Sequence, residues 1–130
     1  MPARRTELAK ARSMDDLQVD FEALDERDAL VLRARGFVDT STAGLLERAL
    51  QQASERSVRF VVLDLTDVDY ISSAGWGVMI SAVGLQRAGG GDLRLANMRP
   101  EVREVFELLE FPSILESFPS VDDALTGEAD

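Results

Sequence analysis

Two adjacent serines, Ser72 and Ser73, are the residues of this sequence whose position best suits them to chemistry. They lie where a predicted buried strand leads into a long apolar helix, with Ala74 and Gly75 in the first turn. A helix start presents unpaired backbone N–H groups and the positive end of the helix dipole, so it would stabilise a phosphate on either hydroxyl. In the alternative interpretation, one serine is an ordinary N-cap worth about 1 kcal/mol, and the glycines permit close packing. The residues alone leave both interpretations open.

Side chains that commonly carry out catalysis are scarce. The chain has no cysteine and no histidine, and its single lysine, Lys10, lies in a polar N-terminal segment. Thiolate and imidazole groups are therefore excluded as nucleophiles, bases and metal ligands, and only carboxylates remain for acid–base or magnesium chemistry. We expect a binding protein and not an enzyme, with no cofactor and no metal. The enzymatic alternative handles a phosphate or nucleotide with the glycines at 75–77, which match neither a P-loop nor a dinucleotide motif, and with Asp64, Asp67 and Asp69.

The charge of the chain is unevenly distributed. The net charge is −10, but the first twelve residues hold four basic groups and one acid, so residues 13–130 carry −13. Such a body repels nucleic acid and attracts basic proteins, although a solvated acidic surface is by itself a sufficient explanation of the charge. At 130 residues we expect one domain, and no apolar run is long enough for a membrane span or signal peptide, which predicts a cytoplasmic protein without membrane insertion.

Alternating apolar residues predict that the fold begins with a β-hairpin. Its strands cover residues 17–21 and 30–34, a charged turn at 25–28 joins them, and Gly36 ends the second strand. Helical spacing of alanine and leucine then predicts an amphipathic helix over 40–55, capped by Thr40 or Ser41.

The rest of the chain alternates between strands and helices. A β-branched run at 58–65 predicts a central strand that ends in turn residues 66–69. A helix then runs from the serines to the glycines at 89–91, and a strand follows at 93–96. The next predicted helix runs from Pro100 to Pro112, with Val102, Val105, Phe106 and Leu109 on one face. A short strand at 114–118 and a last helix at 121–125, capped by Ser120, complete the chain. This order predicts an α/β fold: one domain with a mixed, mainly parallel sheet of four to five strands and about four helices.

The helix after the serines is apolar around most of its circumference. Either part of it meets a partner or the whole helix is deeply buried. Trp76, directly after the serine segment, is the best candidate for an exposed anchor, because tryptophan is enriched among interface hot spots.

Three separated segments carry a resemblance to a known family. They are GFVDTSTAGLL at residues 36–46, VVLDLTDVDYISSAGWGVMI, and GGDLRLANMRPEVREVFELLEF. Together they resemble the STAS domain of bacterial anti-sigma factor antagonists over roughly residues 15–126. The predicted order of elements agrees with the fold of that family.

The resemblance implies that Ser73 is the phosphorylated residue, and Ser72 is the weaker candidate. Ser72 stands where the family has an aspartate, and Ala74 stands where it has a second hydroxyl residue, so the choice between the two serines stays open. Asp39 matches the turn acid of the family beside the phosphosite, and it either hydrogen-bonds the serine loop or caps the helix that follows. Asp39, Ser72, Ala74 and Gly75 would then form the phosphosite loop.

The resemblance also implies partner switching. The unphosphorylated domain would bind an anti-sigma factor that is a serine kinase, through Asp39, Trp76 and Met79, and a serine phosphatase would restore binding. We expect a monomer or weak dimer, with a basic arm at 1–14, the STAS domain at 15–126 and an acidic tail at 127–130. The alternative is a STAS module of a non-sigma signalling complex or of a lipid-transport assembly.

Overall fold

The computed structural model describes residues 17–127. The predicted basic arm at 1–14 lies outside this range, as do residues 128–130 of the predicted acidic tail. The described chain forms, in order, β1 (Gln18–Leu24), β2 (Ala29–Val38), α1 (Ala43–Ser54), β3 (Phe60–Ile71), α2 (Ser73–Ala88), β4 (Asp92–Ala96), α3 (Pro100–Leu108), β5 (Glu116–Phe118) and α4 (Val121–Thr126), with short 3-10 turns at Asp25–Arg27 and Phe111–Ser113.

The five strands of the described chain make one mixed sheet in the order β1-β2-β3-β4-β5. β1 pairs with β2 antiparallel, and every other pair is parallel. The predicted α/β class, hairpin and parallel crossovers are therefore confirmed. None of the helices between residues 17 and 127 has the length and hydrophobicity that a membrane span requires.

Helices cover the two faces of the sheet unequally. Successive parallel crossovers that advance in one direction place their helices on one face, and α1, α2 and α3 share one large core there. α4 alone packs on the other face, where Ala124 and Leu125 meet Phe118. The rest of that second face carries cross-strand ion pairs, among them Arg35 with Asp20 at 2.9 Å.

β3, which leads to the serine segment, and its neighbour β2 are both longer than predicted. β3 does not end before residues 66–69 but continues to Ile71, because Val68 and Ile71 enter the core. Gly36 does not end β2 either: it lies inside the strand with φ 117°, next to a register shift, and β2 continues to Val38. This left-handed backbone suits glycine, and it lets the strand carry a bulge without stopping.

The predicted helix ends differ from the observed ones in two places. α1 starts at Ala43 with Thr42 as N-cap, and not after Thr40 or Ser41. α3 ends at Leu108, before Pro112, because Glu110 takes a left-handed conformation with φ 62°. Of the four apolar residues predicted on one face of α3, Val102 and Phe106 are buried, whereas Val105 and Leu109 remain 38% and 49% exposed. The predicted stop at the glycines after α2 and the Ser120 cap on α4 are confirmed.

Candidate functional site

The serine segment and the Asp39 turn lie side by side at the carboxyl ends of β2 and β3. Val38 and Ile71 are register partners in these parallel strands. The backbone N–H of Ser72 donates to the carbonyl oxygen of Val38 at 2.7 Å, one residue beyond the ladder. The extra length of both strands therefore brings together two loops that are 33 residues apart in the chain.

Ser72 is the N-cap of α2. Its backbone is extended, with φ −79° and ψ 172°, and its hydroxyl oxygen accepts a hydrogen bond from the Gly75 N–H at 3.3 Å. Its carbonyl oxygen accepts the first intrahelical bond, from Trp76 N–H at 3.0 Å. The Ser72 hydroxyl is thus half-buried and already satisfies one of the free donors of the helix start.

Ser73 is the first residue of α2, and its side chain is exposed. Its hydroxyl makes no hydrogen bond within residues 17–127. Ala74, beside it, is also exposed and places no bulky group over the site. The structure therefore gives the two serines different surroundings: the Ser72 hydroxyl holds the helix start, and the Ser73 hydroxyl is accessible.

Asp39 organises its own turn. Its Oδ1 accepts hydrogen bonds from the Ser41 hydroxyl at 2.8 Å, the Ser41 N–H at 2.9 Å and the Thr42 N–H at 3.2 Å. The bond from the Ser41 hydroxyl is the main cause that lowers the pKa of Asp39 below its ordinary value, so this carboxylate is charged at neutral pH. The described hydrogen bonds of Asp39 all stay in this turn, which supports the capping role. The expected hydrogen bond to the serine loop is not among them.

Gly75 fixes the distance between α2 and the strand ends. A Cβ at this position would lie 2.5 Å from Val38 Cγ1 and 2.9 Å from Ile71 Cγ2, which is closer than side chains approach each other. Only glycine lets the first turn of α2 sit directly on the two strands. The close-packing interpretation of this glycine is therefore confirmed.

The prediction of Trp76 as an exposed anchor is wrong, and Met79 is not at the surface either. Their exposed fractions are 2% and 0%. The Trp76 ring packs against Phe106 and Phe111, with centroid distances of 5.7 and 5.1 Å. α2 is flanked by α1 on one side and by these two aromatic residues on the other, so its apolar circumference reflects burial.

The three acids that the enzymatic alternative would use, Asp64, Asp67 and Asp69, are paired with other side chains. Asp64 Oδ1 accepts from the Thr66 hydroxyl at 2.6 Å and from Asn97 Nδ2 at 3.1 Å. Arg99 pairs with both Asp67 and Asp69. In the part of the chain that the structure describes, no group of three or more acidic side chains is arranged to hold a metal ion.

Sequence reasoning missed an exposed aromatic pair beside the serines. Phe37 and Tyr70 are register partners, 36% and 52% exposed, directly before Val38 and Ile71. Because side chains alternate between the faces of a sheet, the buried residues after them require Phe37 and Tyr70 to lie on the opposite face. The alternation of exposed and buried residues at the ends of β2 and β3 was the signal for this pair. It was missed because both strands were predicted to end too early.

Comparison with known proteins gives consistent results. A family model described as STAS domain matches residues 20–124. A Bordetella bronchiseptica protein that carries the name anti-sigma factor antagonist BtrV is 39% identical over 92 residues, which cover 70% of this chain and 79% of the relative.

Two solved structures share the fold. The crystal structure of an anti-sigma factor antagonist from Mycobacterium paratuberculosis has a TM-score of 0.79 at 24% identity, and the alignment covers 88% of this chain and 96% of the other. The phosphorylated form of the Bacillus cell fate determinant SpoIIAA has a TM-score of 0.64 at 18% identity, with 85% and 98% covered.

Proposed function

This chain belongs to the STAS domain family, and on that premise we propose that it is a cytoplasmic anti-sigma factor antagonist switched by phosphate on Ser73. Unphosphorylated, it binds an anti-sigma factor that is also a serine kinase, and the sigma factor is released. Phosphorylation of Ser73 by that kinase ends the binding, and a serine phosphatase restores it. The chain acts by binding and not by catalysis.

The exposed Ser73 hydroxyl at the start of α2 is the observation that carries this proposal. A kinase must reach the hydroxyl, and Ser73 is more accessible than the capping Ser72. The phosphate would lie at the N-terminus of a 16-residue helix, where the dipole and free N–H groups stabilise an anion. Phosphorylation is therefore compatible with the same fold, and the switch needs no refolding.

The new charge is sufficient to end binding. A phosphoserine adds about −1.5 to −2 charges at neutral pH. One like-charge pair at about 4 Å costs about 4 kcal/mol at an effective dielectric of 20, which is close to a thousandfold in affinity. Asp39 already holds a negative charge at the neighbouring strand end, so the partner would face two anions on adjacent loops.

Serine variants test the proposal against the purified anti-sigma factor. We expect Ser73→Ala to bind with the affinity of the unmodified chain and Ser73→Asp to lose binding. Ser81→Asp is the matched control, because Ser81 is an exposed serine farther along α2, and it should bind normally. Incubation with the kinase and ATP, followed by peptide mass spectrometry, should place the phosphate on Ser73. Equal binding by Ser73→Ala and Ser73→Asp, or phosphate confined to Ser72, would refute the assignment.

A further inference from the structure

A broad groove lies on the face of the sheet that α4 partly covers. We call it the α4 groove, and its volume is about 830 Å³. The end of β1 and the 3-10 turn Asp25–Arg27 line one side, the start of α4 lines the other, and Arg33 and Asp64 lie on the strands between them. Leu24 and Val121, both half-buried, give the groove an apolar part. These residues all line one cavity, so the α4 groove is a single surface.

The α4 groove is negatively charged. Five carboxylates and two arginines line it, which gives the lining a net charge of −3. Arg33 pairs with two of the acids, Glu22 and Asp64. The other three acids are exposed and make no ion pair within residues 17–127; they are Asp25, Glu26 and Asp122. Arg27 offsets only one of these charges, so the groove complements a segment that is basic and partly apolar.

The N-terminal segment of this chain, residues 1–14, has the complementary composition. Its first twelve residues carry a net charge of +3, equal and opposite to that of the groove lining, and they are the most basic stretch of the sequence. Leu8, Ala9 and Ala11 are interspersed with the basic residues, which are Arg4, Arg5, Lys10 and Arg12. The segment therefore supplies both cations for the free acids and apolar side chains for the apolar part of the groove.

The segment is attached to the strand that borders the groove. Glu22 of β1 lines the groove and follows Leu17, the first described residue, by five positions, which is about 17 Å along a strand. The sixteen residues before Leu17 can span up to about 50 Å, so the basic side chains are within reach of the free acids. Attachment also gives the segment an effective concentration of the order of millimolar at the groove.

We infer that residues 1–14 bind in the α4 groove of the same molecule. Their basic side chains pair with Asp25, Glu26 and Asp122, and their apolar side chains contact the apolar part of the groove. The same segment of a second copy would carry the same charge but would lack the advantage of attachment.

A second acidic depression, on α3, is a poorer site for the segment. It is lined by Glu101, Glu104 and Glu107 together with Arg103 and Pro100. It contains no leucine or valine, and α3 lies on the other face of the sheet. It therefore supplies a control surface of similar charge.

Docking in the α4 groove does not depend on the Ser73 switch. The 3-10 turn Asp25–Arg27 precedes β2, whereas the serine segment follows β3. Because β2 and β3 are parallel, the turn and the serines lie toward opposite ends of these strands. A failed test of the groove would therefore leave the proposed switch untouched.

A spin label on the N-terminal segment of the full chain tests the inference. The chain contains no cysteine, so Ala3→Cys provides a single site for a nitroxide label. In a ¹⁵N-labelled sample, the label should broaden the amide signals of residues 22–27 and 120–122 and leave those of residues 101–107 sharp. The same sample with the nitroxide reduced is the reference. At 1 M salt, where the Debye length is about 3 Å, the broadening should be lost.

Two double variants of equal charge change supply the matched control. Asp25→Lys with Glu26→Lys reverses two free charges in the groove, and most of the broadening at residues 22–27 and 120–122 should be lost. Glu101→Lys with Glu104→Lys makes the same change of net charge on α3, at exposed residues without an ion pair within residues 17–127, and the broadening should stay.

A variant with an unaltered groove gives a second measurement that needs no label. Substitution of the four basic residues of the segment by glutamine should shift the amide signals of residues 22–27 and 120–122 relative to the unmodified chain. This variant leaves residues 17–127 unchanged, so it tests the inference even if the groove variant does not fold.

Three results would overturn the inference. The first is broadening that is absent, spread evenly over the acidic surface or centred on residues 101–107. The second is an equal loss of broadening in the two double variants. The third is broadening of an unlabelled ¹⁵N chain by an added spin-labelled copy without ¹⁵N, which would make the segment of a second copy the occupant.

Discussion

Replacement of Gly75 by alanine tests whether the helix start is held directly against the strand ends. The new Cβ would meet Val38 Cγ1 at 2.5 Å and Ile71 Cγ2 at 2.9 Å. Both neighbours are β-branched and buried, so neither can rotate away freely. Overpacking of this kind costs about 1–3 kcal/mol, and two contacts at once favour the upper half of that range. The better helix propensity of alanine returns about 1 kcal/mol, which leaves a net loss of about 1–2 kcal/mol.

Gly77→Ala is the matched control two residues later in the same helix. A Cβ there meets no atom within 4 Å, so only the gain in helix propensity remains, about 0.5–1 kcal/mol. The two variants should therefore shift the free energy of unfolding in opposite directions and differ by about 1.5–3 kcal/mol. At about 4 °C per kcal/mol, their melting temperatures should differ by roughly 6–12 °C.

Urea and thermal unfolding of the two glycine variants, followed by Trp76 fluorescence and far-UV circular dichroism, give the comparison directly. Coincidence of the two probes would show that the transition is two-state and that its free energies can be compared. If Gly75→Ala is as stable as Gly77→Ala, the close packing of α2 on the strands is refuted, and with it the explanation of how the serine segment is positioned.

Three further predictions concern the same site. Folding lowers the pKa of Asp39, so this carboxylate stabilises the folded state above its ordinary pKa of 3.8, and the stabilisation is lost as the pH falls through the folded-state pKa. The difference in the free energy of unfolding between the wild type and Asp39→Asn should therefore be largest at pH 7 and should shrink below about pH 4. Ser72→Ala should lose an N-cap and about 1 kcal/mol, whereas Ser73→Ala should change stability by less than about 0.5 kcal/mol; the reverse order in urea titrations would exchange the roles of the serines. Trp76→Ala should cost about 3–5 kcal/mol and Leu108→Ala less than about 0.5 kcal/mol, and a mild effect at Trp76 would contradict its burial.

Local patterns in the sequence predicted most of the fold. Alternation at 17–21 and 30–34 predicted the hairpin, and the glycines at 89–91 predicted the end of α2, because each signal depends on residues close together in the chain. Residues 66–69, which were predicted as a turn, instead continue β3, and this strand ends at Ile71. The polar residues at 66–71 are exposed, only Val68 and Ile71 are buried there, and two register shifts interrupt the alternation, so the segment looked like a loop.

The site was only partly predictable for a related reason. The sequence identified Ser72 and Ser73 as a pair at a helix start. It locates such a start only to within about one residue, and a shift of one residue changes which of the two hydroxyls is the N-cap. The burial of Trp76 depends on Phe106 and Phe111, which follow it by 30 and 35 residues. No local pattern contains that contact, so the sequence alone left open whether Trp76 is exposed or buried.

Isothermal titration of the anti-sigma factor into the chain with and without phosphate on Ser73 tests the central claim most directly. We predict tight binding by the unmodified chain and a loss approaching a thousandfold on phosphorylation, with an unchanged circular dichroism spectrum. Equal affinity of the two forms would contradict the account, and so would a phosphorylated chain that loses binding because it unfolds.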